Sequence, residues 1–487
     1  MRVLYVSTEV HPALKTGGLA DVNAALPAAL IGLGVDVRLL LPGFPALLAA
    51  AEHLDWGIAL GPAFGAPAVQ LRHGLLRGVP VWLIDAPALY QRPGNPYTDA
   101  RGRDWPDNHL RFALLGQVAA RFADGAFEGW RPDIVHAHDW HAGLAPAYLA
   151  ARGGAVPGSV FTVHNLAYQG QFPAASFADL QLPAHFFSLQ GIEFYGAVNF
   201  MKAGLHYADR ITTVSPTYAQ EIQTAEQGFG MEGLLRARAG ALSGILNGVD
   251  QSEWNPAIDT QIAANYDIDN LAGKSTCRQA LREALGLDPD ADGPLVAVVS
   301  RLTTQKGLDL LIGSLPVLLA ASGQLALLGT GDADLEQAFL KAAAANPRQV
   351  AVRIGYDEAL AHRMIAGADV IAVPSRFEPC GLTQMYGLAY GTLPMVRRVG
   401  GLADTVRDAE DAGGSGFVFD EASVKDLSDG LRRVATLWRD RDAWSRLRQR
   451  AMRANNGWAP VAGRYLDLYR DLRPAARASG ETARADG

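Results

Sequence analysis

Ala368-Asp-Val-Ile-Ala-Val-Pro-Ser-Arg-Phe-Glu-Pro-Cys-Gly-Leu-Thr-Gln-Met-Tyr-Gly-Leu-Ala-Tyr-Gly391 decides the fold class. Residues 368–373 read as a short buried strand, and Pro374 ends it. After Pro379, the spacing of Leu382, Met385, Tyr386 and Ala389 gives a helix one apolar face. A strand therefore runs out into a loop carrying Glu378, and a helix opens a few residues later. In an open α/β sheet that is where a ligand sits. Free N–H groups and the positive end of the helix dipole favour a bound phosphate there. A carboxylate beside them accepts hydrogen bonds from sugar hydroxyls. The competing reading makes Glu378 an exposed loop acid or a helix cap.

The same alternation extends both ways along the chain. In the second half, Leu295–Ser300, Gln324–Leu328 and residues 350–354 read as strands with helices between them. In the first half, strands at Arg2–Val6 and Val35–Leu41 enclose a helix over Gly18–Leu33. Strands follow at 79–84, Ile134–His136, Ser159–Val163 and Arg210–Val214, with a helix near 107–123. Leu246-Asn-Gly-Val-Asp250 is a turn signal, and polar and helical residues separate it from the next strong strand. A domain boundary near 245–255 follows. The expected architecture is α/β, with two halves of similar size, each doubly wound.

Composition narrows the function. A chain of 487 residues is expected to hold two or three domains. Hydrophobic residues make up 49% and charged residues 19%, which suits a large buried core. A net charge of −7 leaves no basic footprint for nucleic acid, while a neutral polymer is not disfavoured. Two cysteines, Cys277 and Cys380, make no disulfide framework. No signal-peptide anatomy and no uninterrupted apolar run of about 20 residues is present. The expectation is a cytoplasmic enzyme.

Other strand ends carry chemistry too. His11-Pro-Ala-Leu-Lys-Thr-Gly-Gly-Leu-Ala-Asp-Val22 follows the first strand. Lys15, Gly17, Gly18 and Asp21 converge on one helix N-terminus, and the glycines admit close approach of a ligand. The missing G-x-G-x-x-G weakens a dinucleotide reading. Residues 92–99 form a Pro- and Gly-marked surface loop. His136, His138 and His141 have the look of metal ligands, but no Cys or Glu completes a site, so a sugar-facing polar loop is favoured. His164 ends the next strand beside Asn165. In Ser300-Arg-Leu-Thr-Thr-Gln-Lys-Gly307, Arg301 and Lys306 put two cations at one strand end. Such a pair neutralises a diphosphate and stabilises it as a leaving group. The alternative is surface charge or a structural ion pair. Gly400-Gly-Leu402 echoes Gly17-Gly-Leu19.

Together these motifs resemble one family. Lys15–Val22, His136-Ala-His-Asp-Trp-His141, Phe161-Thr-Val-His-Asn165, Asn247-Gly-Val-Asp250, Ser300–Gly307 and Glu378-Pro-Cys-Gly-Leu-Thr-Gln384 occur in the order seen in bacterial glycogen synthases and plant starch synthases. The resemblance covers residues 1 to about 472. It implies two Rossmann-like domains facing across a cleft, the GT-B glycosyltransferase fold. It also implies a retaining α-1,4-glucosyltransferase using ADP-glucose and an α-glucan such as glycogen, with no metal and no cofactor. The implied domains are 1–247 on the acceptor side, 248–455 for the donor, and a helix 456–472 crossing back, with Tyr465–Tyr469 in it. The tail 473–487 lacks apolar periodicity and is expected to be disordered.

The resemblance also implies roles. Arg301 and Lys306 hold the donor phosphates, and Lys15 and Gly18 approach from the other domain. Glu378, with the backbone of Cys380 and Gly381 and the adjoining Leu382 and Thr383, holds the glucosyl group. His164 meets the sugar near O6, with Asn247 and Asp21 nearby. Tyr97, His138 and Asp139 lie on the glucan or reaction side, and Tyr356 stacks on adenine. Many retaining transferases place a second Glu eight residues after the first; here that position is Tyr386, so the usual ribose-binding carboxylate is missing. The implied chemistry is same-face attack within an ion-pair-like state. Asp139 and Glu378 are the two carboxylates to consider as a nucleophile. Closure about hinges near Asn247–Asp250 and 455–458 is expected to accompany donor binding. The rival readings are another nucleotide-sugar transferase or epimerase, and a two-lobed sugar-binding protein. The latter are usually exported, and the Arg–Lys pair has no use with a neutral sugar.

Overall fold

The computed structural model describes residues 1–127, 129–454 and 456–472. The expected disorder of 473–487 lies outside them. Two compact units emerge from the contacts. The first holds Met1–Thr213, Gly228–Ile245 and the chain from Ala459 onward; the second holds Val214–Gln227 and Leu246–Trp458. Three details differ from the domain limits expected from sequence. Leu246 and Asn247 group with the second unit, and so do residues 456–458 and the segment 214–227. There Glu221 accepts a hydrogen bond from the Gly400 N–H, and Asp404 accepts two from Thr217.

The first unit contains strands β1 (Arg2–Val6), β2 (Asp36–Pro42), β3 (Ile58–Ala63), β4 (Ala66–Leu76), β5 (Val79–Asp85), β6 (Ile134–His138) and β7 (Gly158–Val163). These are followed by β8 (Gln171–Pro173), β9 (Glu193–Phe194), β10 (Ala197–Asn199), β11 (Arg210–Thr213) and β12 (Leu242–Gly244). Among the described residues, nine of them form one sheet in the order β12-β11-β7-β6-β1-β2-β5-β4-β3. It is parallel from β12 to β5 and antiparallel beyond. The second unit has β13 (Leu295–Val299), β14 (Gln324–Gly329), β15 (Val350–Ile354), β16 (Val370–Val373), β17 (Leu393–Arg397) and β18 (Phe417–Phe419). They form an all-parallel sheet in the order β15-β14-β13-β16-β17-β18.

Central strands such as β6 and β14 are buried at every position, because helices cover both faces of a parallel sheet. The helix Leu308–Ala320 and the helix Val424–Arg439 cover one face of the second sheet through Leu311, Leu315, Leu427, Leu431 and Val434.

Both sheets change winding direction at one point. In the first, β1 connects outward to β2, while β6 lies on its other side. In the second, β13 connects to β14, while β16 lies on its other side. At such a point neighbouring loops diverge and leave a crevice beyond the carboxyl ends of the strands. The helix Trp458–Leu472 packs with the first unit from Ala459 on. Its Tyr469 hydroxyl bonds His136 Nδ1 at 2.7 Å.

Candidate active site

In the second unit, the loops after β13 and β16 are laced together. Arg376 N–H donates to the Gln305 carbonyl at 2.8 Å, and the Arg376 guanidinium reaches the Thr304 carbonyl and both carboxylate oxygens of Asp309. Gly307 sits at φ +65°, and a Cβ there would fall 2.0 Å from the Pro374 carbonyl oxygen. That contact permits glycine only, and it presses the two loops together. The result is an ion pair between a half-buried ammonium and a buried carboxylate, Lys306 Nζ to Glu378 Oε2 at 2.6 Å. Ser375 Oγ donates to the same oxygen at 2.8 Å. Glu378 Oε1 has no hydrogen-bond partner among the described residues, so it remains to accept from a ligand hydroxyl.

Glu378 is 6% exposed, which excludes the loop-acid reading. From the other side, Gly400 at φ +43° lies so close that a Cβ would sit 1.9 Å from the Glu378 carbonyl oxygen. The Gly401 N–H donates to that same carbonyl. The pair Gly400-Gly401 is thus explained by close backbone approach.

Other candidates of this unit gather around the pair. The helix predicted after Pro379 spans Thr383–Ala389, with Leu382 at its N-cap and Leu382 and Thr383 half-buried. The Cys380 thiol is hydrogen-bonded by Asn247, and burial pushes its pKa up to about 12. It stays a thiol, and its contribution is backbone. Gln384, absent from the predicted set, donates to the Cys380 and Gly381 carbonyls and fixes that turn. Arg301 is exposed on the loop after β13. Tyr356 is 70% exposed on the loop after β15, two strands away in the same sheet. Tyr386 is buried, with its ring 3.9 Å from that of Trp254 and parallel within 5°. Its ring packs within the unit.

In the first unit the crevice between β1 and β6 holds a second polar group. Lys15 pairs with Asp21 at 2.8 Å, at the start of the helix Gly18–Gly32. Tyr97 turns inward from its surface loop. Its hydroxyl donates to Glu9 Oε1 at 2.6 Å, and its ring stacks on His141 at 4.3 Å. Buried Arg111 holds that loop through the Leu89 and Pro96 carbonyls and Asn108.

Asp139 begins the short helix Asp139–Ala142 at φ +55°, a conformation that costs about 1 kcal/mol and clusters at functional sites. Its carboxylate accepts from the His164 N–H at 2.7 Å and more weakly from Asn165. Burial raises its pKa to about 7 against those hydrogen bonds. His138 Nδ1 and His164 Nε2 share a hydrogen bond of 3.0 Å. Burial drives His164 down to about 3 and His138 well below its usual value, so both rings are neutral. His136 instead lies between Tyr469 and Thr162 and ties the final helix to the sheet. A three-histidine ligand set is therefore not assembled.

Glu9 was not among the predicted residues. It is 2% exposed and accepts from the Thr16 N–H, the Thr16 hydroxyl and Tyr97. Burial raises its pKa. The available signal was the polar run Ser7-Thr8-Glu9 directly after β1, at the switch point.

Known proteins share this arrangement. Residues 2–237 match the family described as starch synthase catalytic domain, and residues 282–450 match glycosyl transferases group 1. The glycogen synthase of Edwardsiella ictaluri is 57% identical over 97% of this chain and 100% of its own length. That of Variovorax paradoxus is 55% identical over 98% and 100%. The catalytic domain of starch synthase IV from Arabidopsis thaliana, solved with ADP and acarbose, superposes with a TM-score of 0.88 at 32% identity, covering 96% of this chain and 99% of that one. Sucrose-phosphate synthase from Thermosynechococcus elongatus, at TM-score 0.59 and 18% identity over 97% and 98%, shares the fold. The chain belongs to the bacterial glycogen synthase family, GT-B glycosyltransferases that transfer glucose from ADP-glucose to an α-1,4-glucan with retention of configuration.

Proposed function

We propose that the switch point of the second unit is the donor site, with Glu378 and Lys306 at its centre. The observation carrying this reading is the part-buried Lys306–Glu378 pair, built by two loops 72 residues apart. Breaking the anomeric C–O bond develops negative charge on the diphosphate and positive charge on the sugar ring. Lys306 and Arg301 meet the first, and their attraction strengthens as the bond breaks. Glu378 Oε1 accepts from the glucosyl hydroxyls while Oε2 stays held by Lys306 and Ser375. The carboxylate also favours the positive charge growing on the ring.

Backbone N–H groups of the turn Cys380–Thr383 complete the cradle, and Tyr356 offers an exposed ring to the adenine. In the first unit, Lys15 is the cation proposed to meet an anionic ligand group. In that unit neutral His164 hydrogen-bonds the sugar near O6. Asp139 braces the His164 turn, which assigns it a positioning role in place of a nucleophilic one. Tyr97 and His138, with Glu9, face the glucan. With the diphosphate balanced by Lys and Arg, no metal is required. The enzyme is read as acting in the cytoplasm. In support, both cysteines are free and buried, and no helix among the described residues is long and apolar enough to cross a membrane.

The test is nucleotide release from ADP-glucose and UDP-glucose, with and without glycogen. Glycogen-dependent ADP release is expected from the wild type and should be nearly abolished in Lys306→Ala. A Lys306→Ala enzyme as fast as wild type overturns the donor-site assignment.

A further inference from the structure

The second unit carries another cleft, at the opposite end of its sheet from Lys306 and Glu378. It lies between the helix Val424–Arg439 and the helix Arg441–Met452, with Phe417 among its lining. Phe417 opens β18, at the amino end of that strand. Trp438, near the end of the first helix, donates to the Asp292 carbonyl just ahead of β13. The cleft has a volume of about 540 Å³, in the range of small-molecule sites.

Its charged lining is four arginines against two carboxylates, Glu410 and Asp440, on a chain whose net charge is −7. Arg432 and Arg433 descend from one helix, Arg446 and Arg450 from the other. Arg433 is fully engaged: it binds Asp408, Glu410 and the Val418 carbonyl. Arg432 binds Asp429. Asp440, at the helix junction, is spent on capping, accepting from the Ala443 N–H. Arg450 is anchored by its Nε on the Gly414 carbonyl at 2.9 Å, and its two terminal nitrogens make no hydrogen bond among the described residues. Arg446 makes no hydrogen bond or ion pair among them. Two guanidinium groups on one helix face, one turn apart, thus enter the cleft. Glu410 and Asp440 also line it, but Glu410 is paired with Arg433 and Asp440 caps the helix, and among the described residues neither makes an ion pair with Arg446 or Arg450.

We propose that this cleft binds a small phosphomonoester, with the phosphate on Arg446 and Arg450 and a sugar-sized remainder against Thr436 and the apolar floor. Guanidinium groups match phosphate geometry with paired N–H donors, and anchoring Arg450 at Nε lowers the cost of ordering it. The cleft is several times the volume of a phosphate ion, so the phosphate's substituent has room. A neutral glucan has no use for an excess of cations. Because the cleft and the Lys306–Glu378 pair sit at opposite ends of the strands, the ligand does not compete with the donor.

The test is calorimetric titration of the full chain with ribose 5-phosphate, glucose 6-phosphate and inorganic phosphate, with glucose as neutral control. Three proteins are compared: wild type, Arg446→Ala/Arg450→Ala, and Arg301→Ala/Lys306→Ala. A sugar phosphate should bind the wild type and the Arg301/Lys306 variant alike. It should bind the Arg446/Arg450 variant about tenfold more weakly or worse. Turnover of the Arg446/Arg450 variant with glycogen should match wild type. Binding lost in the Arg301/Lys306 variant but kept in the other would place the ligand in the donor site and overturn the proposal. So would the absence of binding by both sugar phosphates. Inorganic phosphate binding as tightly as they do would refute the sugar-sized remainder.

Discussion

Glu378→Gln isolates the charge at the centre of the donor site. The amide keeps the shape, and Ser375 still has an oxygen to donate to. Lys306 loses its counter-charge, and the sugar ring loses its carboxylate in the transition state. Turnover should fall roughly 10²-fold or more, the scale of one well-placed electrostatic contact. Near-normal turnover in a folded variant would remove Glu378 from the mechanism. Lys306→Ala is structurally harsher, because it strands a carboxylate that is 7% exposed and keeps only the Ser375 hydroxyl as partner. Its thermal midpoint should therefore drop as well, where that of Glu378→Gln changes little.

At the scale of elements, the loops that make the site are set by steric limits. Gly307→Ala should push the loops after β13 and β16 apart, since the new methyl would sit 2.0 Å from backbone. The expected result is lost turnover together with a lower melting temperature; unchanged kinetics would show that the loops are not held as tightly as described. This also explains what was legible in the sequence. Strand ends were readable because apolar runs stop at polar ones, and Glu378, Lys306, Asp139 and His164 all follow strands. Glu9 escaped because its importance comes from Tyr97, 88 residues away, folding over it. The same holds for Gln384, whose role depends on the direction of two carbonyls. The fate of Tyr386 rests on Trp254, on a segment with no strong periodicity.

At the scale of the molecule, four histidines of the first unit, three of them buried and His164 half-buried, govern acid stability. His136, His138 and His141 lie well below their usual pKa and His164 at about 3, all through burial. Each contributes stability that is complete above about pH 6.5 and is lost as pH falls toward the folded value. Asp139, raised to about 7, has the opposite sign: its contribution is present below about pH 4 and is lost as pH rises through 7. Between pH 6.5 and 5 Asp139 is protonated in the fold and ionised in the unfolded chain, so it opposes the histidines by up to one proton, and four histidines outnumber it. The melting temperature should fall on acidification across that window in calorimetry; a flat or rising profile would contradict neutral buried rings. Two further outcomes concern turnover. Lys15→Ala should lower it while ADP still binds the second unit in titration, and complete loss of ADP binding would refute the division of labour. Activity should also survive EDTA; loss restored by Mg²⁺ or Mn²⁺ would show that the diphosphate is balanced differently.

The return of the chain to the first unit at Ala459 sets a timetable for biosynthesis. His136 and Tyr5 lie deep in that unit, yet the Tyr469 hydroxyl that satisfies His136 is translated 333 residues after it. A ribosome moving at about 5–20 residues per second spends roughly ten to forty seconds between Ile245 and Ala459. Throughout that interval the nascent first unit shows an unsealed face where the final helix will dock. The second unit, apart from the segment 214–227, is made in one continuous stretch and can finish first. Nascent chains arrested before the final helix should therefore bind chaperones and be cut by protease in the first unit, while the second resists.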